Sequence, residues 1–245
     1  RRGLEIAPDD AELRNALGWT LFQEGRPLEA VAEYERALTA NPNHVKSHNN
    51  LALALVELGR LEDAAGHFKT SLEFEPKAEI YSDLGFIMAQ QGKSEAARAD
   101  YQKALELDPN CASAHFNLAV TFVQAGKFGE AESHYRQALP GRPTAETHNG
   151  LGYVLARQGR TDEAVAEFRK AIDVDAKFTP AYNNLADALA SVGKLEEAEH
   201  YYELSLAEKP SAAVDGALRV VLRRLGKTDQ ATDRSGTAKG LDLTH

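Results

Sequence analysis

Two stretches of this sequence carry the ending of a phosphate-binding loop. Gly92-Lys93-Ser94 and Gly226-Lys227-Thr228 each supply its glycine, lysine and hydroxyl residue. Such a loop also needs a glycine five residues earlier, so that backbone N–H groups can wrap the phosphates. Those positions hold Ile87 and Val221, and both stretches read instead as helix ends. Metal and acid–base chemistry fare no better. No His-Glu-x-x-His motif occurs. His48, His115 and His148 fall at one position of a repeated unit, which suits packing rather than ligation, and His67 and His134 stand two repeats apart. Cys111 is the single cysteine, so no intrachain disulfide forms. No acid–base pair stands at a readable spacing from it. The carboxylates are distributed along helices, as on a solvated face. The expectation is therefore no catalytic residue, no metal site, no cofactor and no enzymatic activity.

What places these residues is a repeat. Leu followed by Gly or Ala recurs at Leu17-Gly18, Leu51-Ala52, Leu84-Gly85, Leu118-Ala119, Leu151-Gly152 and Leu185-Ala186. Glycines recur at Gly25, Gly59, Gly92, Gly126, Gly159, Gly193 and Gly226. Alanine precedes an aromatic by four residues at Ala30/Tyr34, Ala64/Phe68, Ala97/Tyr101, Ala131/Tyr135, Ala164/Phe168 and Ala198/Tyr202. Proline marks Pro8, Pro42, Pro76, Pro109, Pro143 and Pro210, with Ala176 in the missing place. Each step accommodates two helices of about four turns joined by two turns. The small residue admits close helix approach, and the aromatic fills the gap between helices. The second glycine caps the first helix of the pair in the left-handed conformation. Proline after Asn or Asp ends the second helix. The steps alternate 34 and 33 residues, so a two-repeat unit underlies the array: Gly18, Gly85 and Gly152 are each followed by an aromatic, whereas Ala52, Ala119 and Ala186 are not.

On these residues the chain resembles the tetratricopeptide-repeat family, whose pattern is an aromatic, then Leu-Gly, a large residue, Ala-x3-Phe/Tyr and Pro. Pentatricopeptide repeats run longer and lack this proline placement. The resemblance implies an all-α fold, a right-handed superhelical solenoid of antiparallel helix pairs. Six repeats are expected, at 11–44, 45–77, 78–111, 112–144, 145–178 and 179–211. Residues 1–10 read as the end of a preceding repeat. Residues 212–235 read as a degenerate capping unit, with Arg219 at the small-residue site and Ser235 where an aromatic belongs, because a terminal repeat needs a polar outer face. Residues 236–245 form a tail without period. With no initiator Met, the chain is expected to be part of a longer protein.

In that family the first helices line a concave groove, and the resemblance implies which residues face it. Immediately before each Leu stand Ala16, Asn50, Asp83, Asn117, Gly150 and Asn184; one residue earlier stand Asn15, Asn49, Ser82, Phe116, Asn149 and Asn183. An Asn side chain both donates and accepts, so it can pair with a peptide backbone whatever its sequence. The row resembles the asparagine ladder of O-linked N-acetylglucosamine transferases: Asn50, Asn117 and Asn184 match, Asp83 matches in part, and Ala16 and Gly150 interrupt it. The same amides could instead bridge neighbouring helices. Apolar residues complete the face, with Trp19, Leu53, Phe86, Val120 and Tyr153 nearest the Leu and Phe22, Val56 and Val123 one turn on. The expected peptide-binding residues are thus Asn15, Trp19, Asn49, Asn50, Leu53, Asp83, Phe86, Phe116, Asn117, Val120, Asn149, Tyr153, Asn183 and Asn184. The Lys/Arg/Asn clamp with which some tetratricopeptide domains hold acidic chaperone tails is not expected, since only Lys46 is placed for it.

The net charge of −9 argues against nucleic acid, whose phosphates need a basic face. No run approaches the ~18 apolar residues of a membrane span, and no signal peptide is visible. The cysteine count fits the cytoplasm, the expected compartment, though a cysteine-poor periplasmic protein would look the same. The leading expectation is a non-enzymatic scaffold that binds a protein or peptide segment in its groove. The alternatives are a substrate-recognition arm of a larger enzyme, such as a glycosyltransferase, and a self-assembling scaffold.

Overall fold

The computed structural model describes Ala7 and residues 9–227. The expectations that fall on residues 1–6, on Pro8 and on residues 228–245, among them Thr228, Ser235 and the tail, lie outside the described residues. Thirteen α-helices and no strand occur among the described residues. They are α1 (Ala11–Gln23), α2 (Pro27–Ala40), α3 (Val45–Glu57), α4 (Leu61–Phe74), α5 (Ala78–Gln90), α6 (Ser94–Leu107), α7 (Ala112–Gln124), α8 (Phe128–Ala138), α9 (Ala145–Arg157), α10 (Thr161–Val174), α11 (Thr179–Ser191), α12 (Leu195–Glu208) and α13 (Ala212–Arg224). Each odd-numbered helix is the first of a pair and each even-numbered helix the second. The chain divides into two compact units, one running to Asn117 and the other starting at Leu118, and each is described by itself.

One device ends every first helix. At α11, Gly193 takes φ 83°, its N–H donates to the Ala190 carbonyl, and Lys194 N–H reaches back to the Leu189 carbonyl at 3.0 Å. This pair of bonds satisfies carbonyls that the helix itself leaves open. The same two bonds recur at the other six glycines of the series. Nothing lies within 4 Å of where a Cβ on Gly193 would stand, so only backbone strain opposes a side chain there. Gly193→Ala is expected to lower stability by about 1 kcal/mol. Gly66, in the interior of α4, also has open space around it but a helical backbone. Gly66→Ala is therefore expected to raise stability by about 0.5–1 kcal/mol. Thermal melts of the two variants should shift in opposite directions.

Second helices end by a second local rule. Asp108 Oδ1 accepts from Asn110 N–H at 2.9 Å, and Asn41 and Asp175 make the same turn. The side chain offers the chain a turn in competition with another helical residue. α8 departs from its siblings: it has 11 residues where the other second helices have 14. Pro140 follows it in the sequence Ala138-Leu139-Pro140, and proline has no N–H with which to continue the helix.

The core is a column of small residues under aromatics. Tyr34, Phe68, Tyr101, Tyr135, Phe168 and Tyr202 are all buried, as are Ala30, Ala64, Ala97, Ala131, Ala164 and Ala198. A Cβ on Gly152 would stand 2.6 Å from the Phe168 ring, and one on Gly18 would meet Tyr34 at the same distance. Ala186 is fully buried in the equivalent site of its repeat.

Candidate protein-interaction face

The first helices carry every residue of the proposed face, and two neighbouring turns on each helix settle their environments. The turn before the repeated Leu packs toward the adjacent first helix. Asn50 Nδ2 donates to Asn15 Oδ1 at 2.9 Å, and Asn184 Nδ2 donates to Asn149 Oδ1 at 2.8 Å. Asn117 Nδ2 donates to Ser82 Oγ at 3.2 Å. Asn15 is buried, and its Oδ1 also accepts from Ser47 Oγ. The amides therefore bridge successive first helices, at every second junction. Gly150 interrupts the row for a steric reason, since a Cβ there would stand 2.7 Å from the Tyr135 hydroxyl. Asn49 on α3 and Asn183 on α11, at the repeat position of Asn15 and Asn149, are half-buried, with Oδ1 atoms that are buried and accept no hydrogen bond.

Asp83 occupies the place that Asn50, Asn117 and Asn184 hold in their repeats. Burial, aided by Glu79 one turn away, pushes its carboxyl up to about 6. Phe116 is half-buried.

The turn after the Leu points outward. Trp19 is 44% exposed and Phe86 41% exposed, while Leu53, Val120 and Tyr153 are half-buried. The Trp19 ring leans on Phe22, with centroids 6.0 Å apart. The second unit carries a cleft on its first-helix face. The cleft, of about 270 Å³, is lined by Tyr153, Arg157, Asn184 and Asp187, with Phe168 among its walls. Arg157 lies over the Phe128 ring at 4.6 Å and donates to the Tyr153 hydroxyl at 2.7 Å. The Asp187 carboxylate accepts from the Tyr202 hydroxyl. Sequence reasoning did not pick out Arg157 as a member of the face, although its i,i+4 spacing from Tyr153 carried the signal.

The residues that first suggested chemistry serve the stack. His48 and His115 are buried, and their Nε2 atoms meet the Pro42 and Pro109 carbonyls at 2.8 and 3.0 Å. Tyr182 makes the corresponding bond to Ala176. His48 also meets His67, Nδ1 to Nδ1 at 3.0 Å, and His148 pairs with Glu167 at 2.7 Å. No group of three or more His, Cys, Asp or Glu able to hold a metal occurs among the described residues. Lys93 follows the helix-capping Gly92 and bonds Gln91 through Nζ.

Comparison with known proteins agrees with this architecture. Two family models described as tetratricopeptide repeat match the chain, one over residues 76–144 and the other over 2–79, 122–180 and 149–213. Human tetratricopeptide repeat protein 6 is 24% identical over 161 residues, 66% of this chain and 30% of that protein. The Drosophila melanogaster protein O-mannosyl-transferase Tmtc3 is 28% identical over 135 residues, 48% of this chain and 14% of that protein. The chain thus spans less than a third of either relative. Among solved structures, the Cut9–Hcn1 hetero-tetramer of APC/C holds a chain that superposes with a TM-score of 0.81 at 18% identity, over 89% of this chain and 44% of that one.

Proposed function

Because the chain belongs to the tetratricopeptide-repeat family, whose members bind proteins and peptides, we propose that it is a non-enzymatic scaffold that docks a segment of a partner on its first-helix face. The observation that carries this reading is the exposure of Trp19 and Phe86. Large aromatics are normally buried when they serve the core, and exposed ones of this kind act as anchors for a partner. Neither belongs to the buried aromatics that fill the core. No described helix is long and apolar enough to cross a membrane, and the acidic balance disfavours a nucleic-acid partner.

The test is affinity capture with mass-spectrometric identification, comparing the native chain with Trp19→Ala/Phe86→Ala. These two positions separate binding from folding better than Asn50 or Asn117, whose amides hold helices together. Truncating two anchors is expected to weaken capture by tenfold or more, since hot-spot residues contribute roughly 2 kcal/mol or more each. The melting curve should move little. Capture of the same proteins in the same amounts by both chains would overturn the reading.

A second reading has one observation in its favour. The relative Tmtc3 is named as a transferase and contains a segment similar to this chain. On that reading the chain is the substrate-recognition arm of a larger enzyme. Sequencing the parent open reading frame decides it: a catalytic domain beyond either end supports the arm, and a frame with repeats alone removes it.

A further inference from the structure

The first-helix face of the first unit is unbalanced in charge. Helices α3 and α5 carry Glu57, Glu79 and Asp83 against one basic residue, Lys46, and Glu12 already holds the Lys46 ammonium at 3.0 Å. Glu79, Asp83 and Phe86 follow one another at single-turn spacing along α5, so they form one stripe. Glu79 and Phe86 are exposed and Asp83 is half-buried. Among the described residues, no hydrogen bond or ion pair reaches the Asp83 carboxylate.

Asn49, which holds on α3 the repeat position that Asn15 holds on α1 and Asn149 on α9, keeps a buried Oδ1 without a donor. The equivalent positions at the α1/α3 and α9/α11 junctions close with a hydrogen bond from one side-chain amide to the other. Here the side chain that would donate is a carboxylate, which has no proton to give. The junction therefore lacks the donor that closes the other two, and it leaves the Asn49 oxygen and the Asp83 carboxylate without one beside an exposed aromatic. Leaving a buried acceptor unsatisfied is costly, as is burying an unpaired carboxylate, and both costs are relieved by a cation with several N–H groups.

We propose that the α3/α5 junction receives a Lys or Arg side chain of the partner segment, with an apolar side chain of the same segment seated on Phe86. This inference rests on the docking reading above and specifies its occupant. The spacing follows from geometry. Positions i and i+3 of a helix lie roughly 5–6 Å apart. Same-face residues of an extended chain repeat every second residue, about 6.6 Å apart at 3.3 Å per residue. An extended segment with a basic residue and an apolar residue two positions apart thus matches Asp83 and Phe86. An acidic segment would meet Glu57, Glu79 and Asp83 with like charge.

The experiment is selection from a random-peptide phage library on the full chain, on Asp83→Asn and on Trp19→Ala/Phe86→Ala, with each protein confirmed folded by circular dichroism. The expected result is enrichment of Lys or Arg two residues from an aliphatic or aromatic residue. Synthetic copies of those peptides should bind Asp83→Asn about tenfold more weakly, the scale of one lost charge-assisted contact. Peptides that require Trp19 or Phe86 but show no basic preference, or that bind Asp83→Asn equally well, would overturn the inference and leave the docking reading standing. Enrichment identical on the native chain and on Trp19→Ala/Phe86→Ala would overturn both.

Discussion

Replacing Phe168 with alanine is expected to cost about 3–5 kcal/mol of stability. The ring is 1% exposed and roofs Gly152, where even a single Cβ would intrude to 2.6 Å. Ala164, Ala171 and Gly152, which share its part of the core, are buried and small, so they fill little of the space. The opposite error at the same contact, Gly152→Ala, overpacks it and is expected to cost about 1–3 kcal/mol. Because the two residues share one contact, their effects should not add. The double variant should be less destabilised than the sum, since the new methyl occupies part of the space vacated by the ring. Urea denaturation followed by circular dichroism measures all three. A double variant as unstable as the sum would mean that the small residue and the aromatic are not coupled, and the packing account of the repeat would fail.

Asp83→Asn is expected to act in the other direction, raising stability at neutral pH by about 1–3 kcal/mol. Burial and Glu79 hold the carboxyl pushed up to about 6 in the folded chain, against about 3.9 when unfolded. The folded state therefore binds more protons than the unfolded state between these values, and stability rises as pH falls through that window. The destabilisation is complete above about pH 6 and gone below about pH 3.9. Removing the charge removes it, and the new amide stands where Asn50 and Asn184 bridge to the preceding first helix, so it can donate to the unsatisfied Asn49 Oδ1. The advantage of the variant over the native chain should shrink as pH is lowered from 7 toward 4. A variant that is equal to or less stable than the native chain at pH 7 would show that the carboxylate is already paired. A residue that lowers stability at one junction, where three other repeats carry an amide, is what a binding position looks like when function and stability compete.

Much of this molecule follows from local chemistry, and that part was legible from residue types alone. Gly193 and its counterparts can be read as caps because a positive φ favours a residue without Cβ. Gly152 and Phe168 can be read as a contact because their spacing puts a small site and a large ring at the crossing of two helices. The histidines could be assigned to packing because they recur at one position of the repeat. Pro140 was equally visible and marks where α8 stops, since its effect is on its own backbone.

The state of the face was not legible, and the reason is that it depends on atoms from two repeats at once. Asn15, Asn50 and Asn49 are the same residue type within one stripe. Only the relative placement of α1, α3 and α5 makes the first a buried acceptor, the second a bridge and the third an unsatisfied oxygen. Asp83 reads in sequence as a near-match to asparagine, and it takes the packed junction to desolvate it. Trp19 and Val120 share a repeat position, yet the first is exposed and the second half-buried. Period and caps are properties of single helices and of their turns, so the sequence by itself determined them. The bonding and exposure of each side chain on the face were decided by tertiary structure, because a neighbour some 34 residues away supplies the other half of each contact.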